Sequence, residues 1–232
     1  MAKIAFSIFH PKCWAAIGHG IAPSIEHRAM LRNLAPDLVL DVGANRGQFT
    51  LMVRLIHPAV PVQAYEPLPD AAKLYRRIHG GREGIELHQL ALGDQAGSAE
   101  LHVSGQADSS SLLPIGDLQR RFYPSTLEIG TRKVNVATLD SLPVHWQAAR
   151  QALLKLDVQG FELNVLRGAA DALKHCAYVY AECSEVPLYT GQALRTEVEE
   201  YLRLHGFTVR ARFNPSFADG HLIQADYLFG RE

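Results

Sequence analysis

The stretch LVLDVGANRGQFT, residues 38–50, constrains the fold more than any other part of the chain. Three apolar residues lead into Asp41, and two glycines four residues apart, Gly43 and Gly47, follow before apolar side chains recur at helical spacing. A short buried strand, a glycine turn and an amphipathic helix in this order are typical of the first unit of a nucleotide-binding α/β domain. The stretch therefore predicts a nucleotide site at the end of this strand.

The next segments continue the alternation of strand and helix. PVQAYEP (61–67) predicts a second strand, and the helix that follows it ends at Gly80. IELHQLALGD (85–94) predicts a third strand that ends near residues 91–92. Strands and helices that alternate at this spacing indicate a parallel sheet with right-handed crossovers.

Residues 98–103 and 133–139 interrupt this rhythm, because their apolar and polar side chains alternate as in antiparallel strands. The polar stretch 104–132 lies between them. A loop of that length within a compact domain usually has a function or is mobile. We therefore predict an inserted β-hairpin with a long loop over residues 98–139.

The end of the chain returns to the parallel pattern. Two further strands are predicted over 152–158 and 177–182, and a helix over 192–205 closes at a glycine, which is a common C-terminal signal. The last two strands, 207–213 and 225–232, are predicted to form a hairpin.

A single domain is predicted over residues 35–232, since no linker rich in proline, glycine or serine separates two cores. Residues 1–34 are predicted to form a helical extension. Ser24 is placed to cap a helix over 25–34, which either packs on the core or acts as a lid over the ligand.

Composition excludes several classes of protein. The net charge of −1 over 232 residues gives no basic surplus that would indicate a nucleic-acid partner or an anionic membrane surface. The three cysteines lack a CxxC spacing, which argues against a disulfide framework or a structural zinc site. No segment approaches the ~20 apolar residues of a membrane span, and no signal peptide is recognisable. We expect a cytoplasmic protein, and homo-oligomerisation stays open.

Four acidic residues stand at the ends of predicted parallel strands: Asp41, Glu66, Asp157 and Glu182. In open α/β sheets the ligand binds beyond the carboxyl ends of the strands, where the strand order reverses. We therefore expect these four acids to lie together along the edge of the sheet formed by the carboxyl ends of its parallel strands. Glu66 follows Asp41 by 25 residues, where a carboxylate can accept hydrogen bonds from both hydroxyls of a ribose.

The glycine turn discriminates between two classes of nucleotide. A nicotinamide dinucleotide site needs G-x-G-x-x-G, so that the pyrophosphate can sit on the helix N-terminus. Here Asn45 takes the middle position, and Asp41 adds a negative charge where a pyrophosphate would approach. An acid there suits a positively charged ligand, such as the amino group of S-adenosyl-L-methionine. The pattern favours S-adenosylmethionine over a dinucleotide.

With these residues in place, the chain resembles the FkbM family of S-adenosylmethionine-dependent methyltransferases over residues 25–185. The resemblance rests on DVGANRGQFT (41–50), YEP (65–67), LALGD (90–94), DSSSLL (108–113), VATLDSL (136–142) and KLDVQGFELNVLRG (155–168). It implies a Rossmann-like class I methyltransferase, an α/β fold with a mostly parallel seven-stranded sheet and a C-terminal antiparallel strand. One departure is Gln159, where many members carry an acid.

The same resemblance implies O-methylation of a hydroxyl on a small-molecule or glycan acceptor, such as a sugar or polyketide, with S-adenosyl-L-homocysteine as the product. The residues expected to contact the cofactor are Asp41, Gly43, Ala44, Asn45, Gly47, Glu66, Pro67, Ala91, Leu92, Ser110 and Asp157. The DSSSLL segment is expected to form a lid over the acceptor, with a solvated loop as the alternative.

Three acids are candidates for the base or for a residue that orients the acceptor. By topology Asp157 lies beside the glycine turn and is the first candidate, followed by Glu182 and Glu162. A structural role is the alternative for two of them, because Asp157 is placed to cap the turn at Gly160 and Glu162 to stabilise a helix N-terminus. Other possible bases, each more often structural when alone, are His27, His88, His102 and His221.

Two questions of chemistry stay open. A divalent metal held by Asp157 and Glu182 is conceivable, since carboxylates form hard-oxygen sites, but nothing in the sequence demands it. A nicotinamide-dependent oxidoreductase and an inactive cofactor-binding scaffold are the alternatives to a methyltransferase.

Lys155 is expected to lay its aliphatic chain along apolar surface.

Overall fold

The computed structural model describes residues 13–146 and 149–231. The ten strands of those ranges are β1 (Leu38–Val42), β2 (Val62–Tyr65), β3 (Ile85–His88), β4 (Ala91–Leu92), β5 (Gly97–Ser104), β6 (Glu128–Ala137), β7 (Ala152–Leu156), β8 (Cys176–Ser184), β9 (Phe207–Ala218) and β10 (His221–Arg231). The seven α-helices of the same ranges are α1 (Trp14–Ile17), α2 (Arg28–Arg32), α3 (Gln48–Ile56), α4 (Pro69–His79), α5 (Asp117–Phe122), α6 (Glu162–Arg167) and α7 (Arg195–Leu204).

Seven strands form one sheet in the order β3-β2-β1-β7-β8-β10-β9. The first five strands of that order are parallel, whereas β10 runs antiparallel to both β8 and β9. This confirms the predicted mostly parallel sheet with a C-terminal antiparallel strand and the predicted final hairpin. The strand order reverses between β1 and β7, which places a ligand crevice at their carboxyl ends.

Both faces of this sheet are covered by apolar packing. Leu40, Leu154 and Val179 face α6 and α7 in the larger core cluster. Their neighbours along the strands, Val39 and Leu153, face α2 and α3 on the other side. Side chains of a strand alternate between the two faces, so a strand covered on both sides is apolar throughout.

A second sheet of three strands, in the order β4-β6-β5, carries the insertion. β5 and β6 pair antiparallel, as predicted, but β6 begins at Glu128, inside the predicted loop. The predicted third strand is divided in two. The chain turns where the N–H of Leu90 donates to the carbonyl of His88, and Ala91 then pairs with Val136 in the second sheet.

The N-terminal helix predicted over residues 25–34 is a 3₁₀ turn (Ile25–His27) followed by α2, and the Ser24 side chain makes no capping hydrogen bond. Met30 and Leu31 pack against the core beneath α3. The part of the predicted extension before residue 13 lies outside the described residues, and the division at residue 35 stays a prediction. No helix of the described ranges is both long and apolar enough to cross a bilayer.

Candidate active site

A cleft with about 610 Å³ of empty volume opens at the carboxyl ends of β1, β2 and β7. Eight of the predicted cofactor contacts line it: Gly43, Asn45, Glu66, Pro67, Ala91, Leu92, Ser110 and Asp157. Its charged lining residues are Glu66, Asp108 and Asp157, and among the described lining residues none is a lysine, arginine or histidine. The cleft is therefore negatively charged.

The two glycines of the first turn have different structural roles. Gly43 has φ +73°, and a Cβ there would overlap the backbone oxygen of Asp157, so the turn fits against the β7 loop only without a side chain. Gly47 has φ +89°, and a Cβ there would lie 2.5 Å from Nε2 of His79. Gly47 therefore serves the packing of α3 against α4, and it does not line the cleft; neither does Ala44.

Glu66 is held rigidly at the end of β2. Its Oε2 accepts a hydrogen bond from the backbone N–H of Asn45 (2.8 Å), and its Oε1 accepts one from that of Leu68 (2.7 Å). Burial raises the pKa of Glu66 to about 7, although these two donors act in the opposite direction. Each oxygen keeps a second lone pair, and a ribose hydroxyl can donate to it.

Asp41 does not line the cleft, in contrast to its predicted place at the ligand. It is fully buried, and its Oδ2 accepts a hydrogen bond from the Thr50 hydroxyl (2.8 Å). Its Oδ1 lies 3.1 Å from Nζ of Lys155, the residue opposite it on β7. The side chain points from the central strand toward α3, so its charge is compensated inside the protein.

Lys155 is a residue whose importance the sequence reasoning missed. Its ammonium also donates to the carbonyl of Gly43 (2.9 Å) and lies over the ring of Phe49, 5.5 Å from the centroid. Burial alone would lower the pKa of Lys155, but Asp41 and Asp157 outweigh it and the pKa is raised. The signal was available as a charged residue in an otherwise apolar strand. Lys155 fixes both Asp41 and the glycine turn.

Gln159 joins the two leading catalytic candidates. Its Nε2 donates to Oδ1 of Asp157 (2.8 Å) and to Oε2 of Glu182 (2.9 Å), while its Oε1 accepts from the Tyr189 hydroxyl (2.9 Å). Burial, followed by repulsion from Asp157, raises the pKa of Glu182 well above its usual range. Asp157 keeps 40% of its side chain exposed at the cleft, whereas Glu182 lies behind it.

The amide of Gln159 also bears on the metal hypothesis. It places an N–H donor where a cation shared by Asp157 and Glu182 would sit. Within the described ranges no group of three or more histidine, cysteine, aspartate or glutamate side chains could hold a metal ion. The residues present do not fit a divalent metal.

Glu162, the third candidate, is buried below the turn and does not line the cleft. Its Oε1 accepts hydrogen bonds from the backbone N–H groups of Val158 (3.2 Å) and Gly160 (3.1 Å). Burial raises the pKa of Glu162 to about 7. Its contacts are those of a residue that holds the turn carrying Gln159.

The DSSSLL segment forms one wall of the cleft. Ser110 Oγ accepts from the N–H of Ser104 (3.1 Å), and Ser111 donates to the carbonyl of Gln159 (2.7 Å). The segment is thus connected both to β5 and to the turn after β7. Its predicted role as an acceptor lid stays a prediction.

A family model of the methyltransferase FkbM domain matches residues 41–209, and that span includes the glycine turn, Glu66 and the Gln159 turn. The chain belongs to the FkbM methyltransferase family. This FkbM-family protein is 30% identical to the 31-O-demethyl-FK506 methyltransferase FkbM of Streptomyces tacrolimicus, over 94% of this chain and 85% of that one. It is 27% identical to the 2-O-methyltransferase NoeI of Sinorhizobium fredii, over 72% of each chain.

Solved structures show the same fold as this FkbM-family chain at low sequence identity. TehB from Haemophilus influenzae matches with a TM-score of 0.54 and 9% identity, over 95% of this chain and 67% of that one. A TehB-like methyltransferase from Corynebacterium glutamicum matches with a TM-score of 0.50 and 11% identity, over 98% and 99%. The protein is a methyltransferase with the Rossmann-like class I fold, and the oxidoreductase and scaffold alternatives are not supported.

Proposed function

We propose that this protein is an S-adenosylmethionine-dependent O-methyltransferase whose acceptor is a hydroxyl of a sugar, a glycan or a related natural product. The observation that carries the proposal is the acidic lining of the cleft: Asp108 and Asp157, the Glu66 carboxyl with its raised pKa and, among the described lining residues, no cationic side chain. S-adenosylmethionine brings a sulfonium and an ammonium group, and both are attracted by such a site. A dinucleotide would bring a pyrophosphate, which is repelled.

The residues of the cleft fit the cofactor in detail. Glu66 would hold the ribose through the free lone pairs of its two fixed oxygens, and Ala91 with Leu92 would pack against the adenine. The backbone at Gly43 and the carboxylate of Asp157 would hold the methionine portion. When bound, the cofactor supplies an electrophilic methyl group on sulfur, and the protein must then hold the acceptor in line with it.

The two relatives support oxygen as the acceptor atom, because one is the 31-O-demethyl-FK506 methyltransferase FkbM and the other is the 2-O-methyltransferase NoeI. The carboxylates and amides beyond Asp157 supply several hydrogen-bond acceptors and donors close together, as a polyhydroxyl molecule requires. We propose Asp157, the exposed member of this group, as the residue that orients the acceptor. Glu182 would hold it through Gln159.

Thermal unfolding with separate ligands tests the cofactor assignment. At a concentration of about 100 times its dissociation constant, a ligand stabilises the native state by ~2.7 kcal/mol. S-adenosylhomocysteine should raise the Tm of the wild-type protein, and NAD should leave it unchanged. The Glu66→Gln variant should need more S-adenosylhomocysteine for the same shift. A rise in Tm with NAD alone would contradict the proposal.

A screen of methyl hexosides and simple diols, scored by the S-adenosylhomocysteine formed, then tests the acceptor class. Formation above the rate without acceptor is the expected result. If amines are methylated and no hydroxyl compound is, the O-methyltransferase assignment is wrong.

A further inference from the structure

A second buried polar cluster lies on the same face of the sheet as Asp41 and Lys155, outside the lining of the cleft. It consists of His27, Tyr180, Asn214 and Asp226, and neither the cofactor site nor the packing of the core accounts for it. The Tyr180 hydroxyl donates to Oδ2 of Asp226 (2.9 Å), and Nδ2 of Asn214 donates to the same oxygen (2.6 Å). Three elements remote in sequence therefore converge on one histidine.

The hydrogen bonds of this cluster determine which nitrogen of His27 carries the proton. Nδ1 lies 3.0 Å from the hydroxyl oxygen of Tyr180. Because that hydroxyl gives its own proton to Asp226, its oxygen accepts from Nδ1. Nδ2 of Asn214 lies 3.4 Å from Nδ1 but donates over the shorter distance of 2.6 Å to Asp226, so we assign the ring proton to Nδ1. Asp226 Oδ2 lies 3.6 Å from the same nitrogen. In the neutral ring Nε2 then carries a lone pair, and no described residue donates a hydrogen bond to it.

The ring is also fixed in direction, and its partners adjoin Lys155 and Glu182 in the sheet. It packs edge-on against Phe49 (5.3 Å between centroids) and Tyr180 (5.5 Å). Phe49 follows the glycine turn and carries the ammonium of Lys155 over its ring. Asp226 is the register partner of Glu182, and Tyr180 is that of Lys155. The side chain of His27 keeps 14% of its surface exposed.

We propose that His27 is the general base of this methyltransferase, that its Nε2 accepts the proton of the acceptor hydroxyl, and that Tyr180 and Asp226 are positioning residues that hold the ring. The acceptor site would then lie between His27 and Asp157. This inference rests on the proposed O-methyl transfer and adds a residue that the sequence ranked below three acids.

The proposed step balances. The acceptor oxygen forms a bond to the methyl carbon while the bond between that carbon and sulfur breaks, and the electron pair of the broken bond stays on sulfur. The hydroxyl proton moves to Nε2. A neutral ether, a neutral thioether and an imidazolium result, and the imidazolium later releases its proton to water. Asp226 stabilises the imidazolium through its charge, as a carboxylate behind a catalytic histidine does.

Burial favours the neutral ring of His27 before the reaction, and the charged groups around it act in both directions. Burial lowers the pKa of His27; Asp226 from β10, Asp157 from β7 and Glu26 from its own turn act against this, whereas Lys155 from β7 adds to it. The ring is thus ready to accept a proton at neutral pH. Turnover should fall as the pH drops below this pKa, because the ring is then already protonated.

The decisive variant is His27→Asn, which keeps an amide donor near the position of Nδ1 and removes Nε2. We expect its kcat on the best methyl hexoside of the screen to fall ~100- to 10,000-fold. The shift in Tm with S-adenosylhomocysteine should stay as in the wild type. His145→Asn, at an exposed histidine paired with Glu86, is the matched control and should keep wild-type turnover. Unchanged kcat in His27→Asn would overturn the proposal.

The Tyr180→Phe variant tests whether the Tyr180 hydroxyl positions the His27 ring or only stabilises the fold. It keeps the ring that packs on His27 and removes the hydroxyl that holds Nδ1. We expect a lower kcat and a displaced acid limb of the pH profile, with unchanged cofactor binding. A loss of cofactor binding with an unmoved pH profile would show a merely structural role.

Nitrogen NMR of the full chain labelled in its histidine rings, saturated with S-adenosylhomocysteine, tests His27 without any acceptor. The Nδ1–H tautomer at neutral pH is the expected signature, and an Nε2–H tautomer would overturn the proposal. If S-adenosylhomocysteine does not bind at all, the proposed function fails by itself, and the tautomer measured in the free protein still decides on His27.

Discussion

At the scale of single residues, the site depends on buried charges that compensate one another. Lys155 is the centre of this arrangement, because it contacts Asp41, Asp157 and the carbonyl of Gly43. A buried carboxylate without its partner costs several kcal/mol, since neither water nor another cation can replace it. The geometry of the glycine turn is therefore coupled to the protonation of one lysine.

Lys155→Met should leave the charge of Asp41 buried and unpaired. We expect the free energy of unfolding to fall by ~3–5 kcal/mol, measured by urea denaturation. The double variant with Asp41→Asn should recover part of that loss. Lys174→Met removes an exposed ion pair with Asp171 and should leave the free energy of unfolding close to that of the wild type. Equal losses in the two lysine variants would show that the buried pair contributes nothing special.

Gln159→Glu should turn the bridge between Asp157 and Glu182 into a cluster of three carboxylates. Repulsion among them would destabilise the variant near neutral pH, and a divalent cation would relieve it. We expect manganese(II) chloride to raise the Tm of this variant and to leave the wild type unchanged. Gln89→Glu, at an exposed site, is the control. A shift in the wild type would revive a native metal site.

At the scale of elements, the position of the turn after β1 against the turn after β7 defines the cleft. The two strands are adjacent and in register from Leu38 to Val42, so their carboxyl ends reach the rim together. Gly43 and the Asp157 carbonyl then meet at backbone distance, which leaves no room for a side chain. Any change at this contact shifts the glycine turn, which would hold the methyl donor, relative to Asp157, which would orient the methyl acceptor.

Gly43→Ala tests this contact. Gly43 and Gly191 both have positive φ, but a Cβ at Gly191 would meet no atom within 4 Å. Gly191→Ala should therefore cost only the ~1–2 kcal/mol of a strained backbone. Gly43→Ala should cost more, and it should also abolish the shift in Tm with S-adenosylhomocysteine. Retention of that shift would show that the turn adapts without moving the site.

Most elements could be predicted because each carries its own local pattern. The parallel strands β1, β7 and β8 are mostly apolar, and the final hairpin follows a helix that closes at Gly206. The first half of β6 could not be predicted, since residues 128–132 are exposed and lack an apolar alternation. The division of the third strand at Leu90 depends on pairing with β6, which is remote in the chain.

The candidate site divides in the same way. Gly43, Asn45, Glu66 and Asp157 follow directly from strand ends, and the cleft contains all four. Gln159 can link Asp157 to Glu182 only because β7 pairs with β8, and this pairing joins residues that are remote in the chain. The hydrogen-bond partners of His27 likewise come from β8, β9 and β10. No local spacing reports such contacts. The placement of Asp41 could have been anticipated from a lysine in the neighbouring apolar strand.

At the scale of the whole molecule, the folded state keeps two acids close to neutrality. The pKa values of Glu66 and Glu162 are raised from 4.5 to about 7, mainly by burial. Between these values the native state binds more protons than the unfolded state, so these two acids make stability fall as pH rises from 4.5 to about 7. His79, whose pKa burial lowers from 6.5 to about 4, acts in the opposite direction.

Glu162→Gln isolates one of these contributions. The amide keeps an oxygen that can accept from Val158 and Gly160, and it cannot ionise. We expect the variant to match the wild type near pH 4.5 and to exceed it above pH 7, by an amount on the order of 3 kcal/mol. Unfolding across this pH range measures the difference. Glu200→Gln, at an exposed acid with a lowered pKa, should show no such gain. A variant less stable than the wild type above pH 7 would contradict the raised pKa.

The contact between Gly43 and Asp157 has a consequence for how such a protein can diversify. It fixes the part of the site that would bind the methyl donor to the central strands. Substitutions there should lower stability and cofactor binding, whichever acceptor is used. The β5–β6 insertion, the β9–β10 hairpin and the segment carrying His27 take no part in this backbone contact and are free of its constraint. New acceptors can therefore arise by remodelling these peripheral segments around a fixed centre, and swapping them between relatives is the practical route to altered specificity.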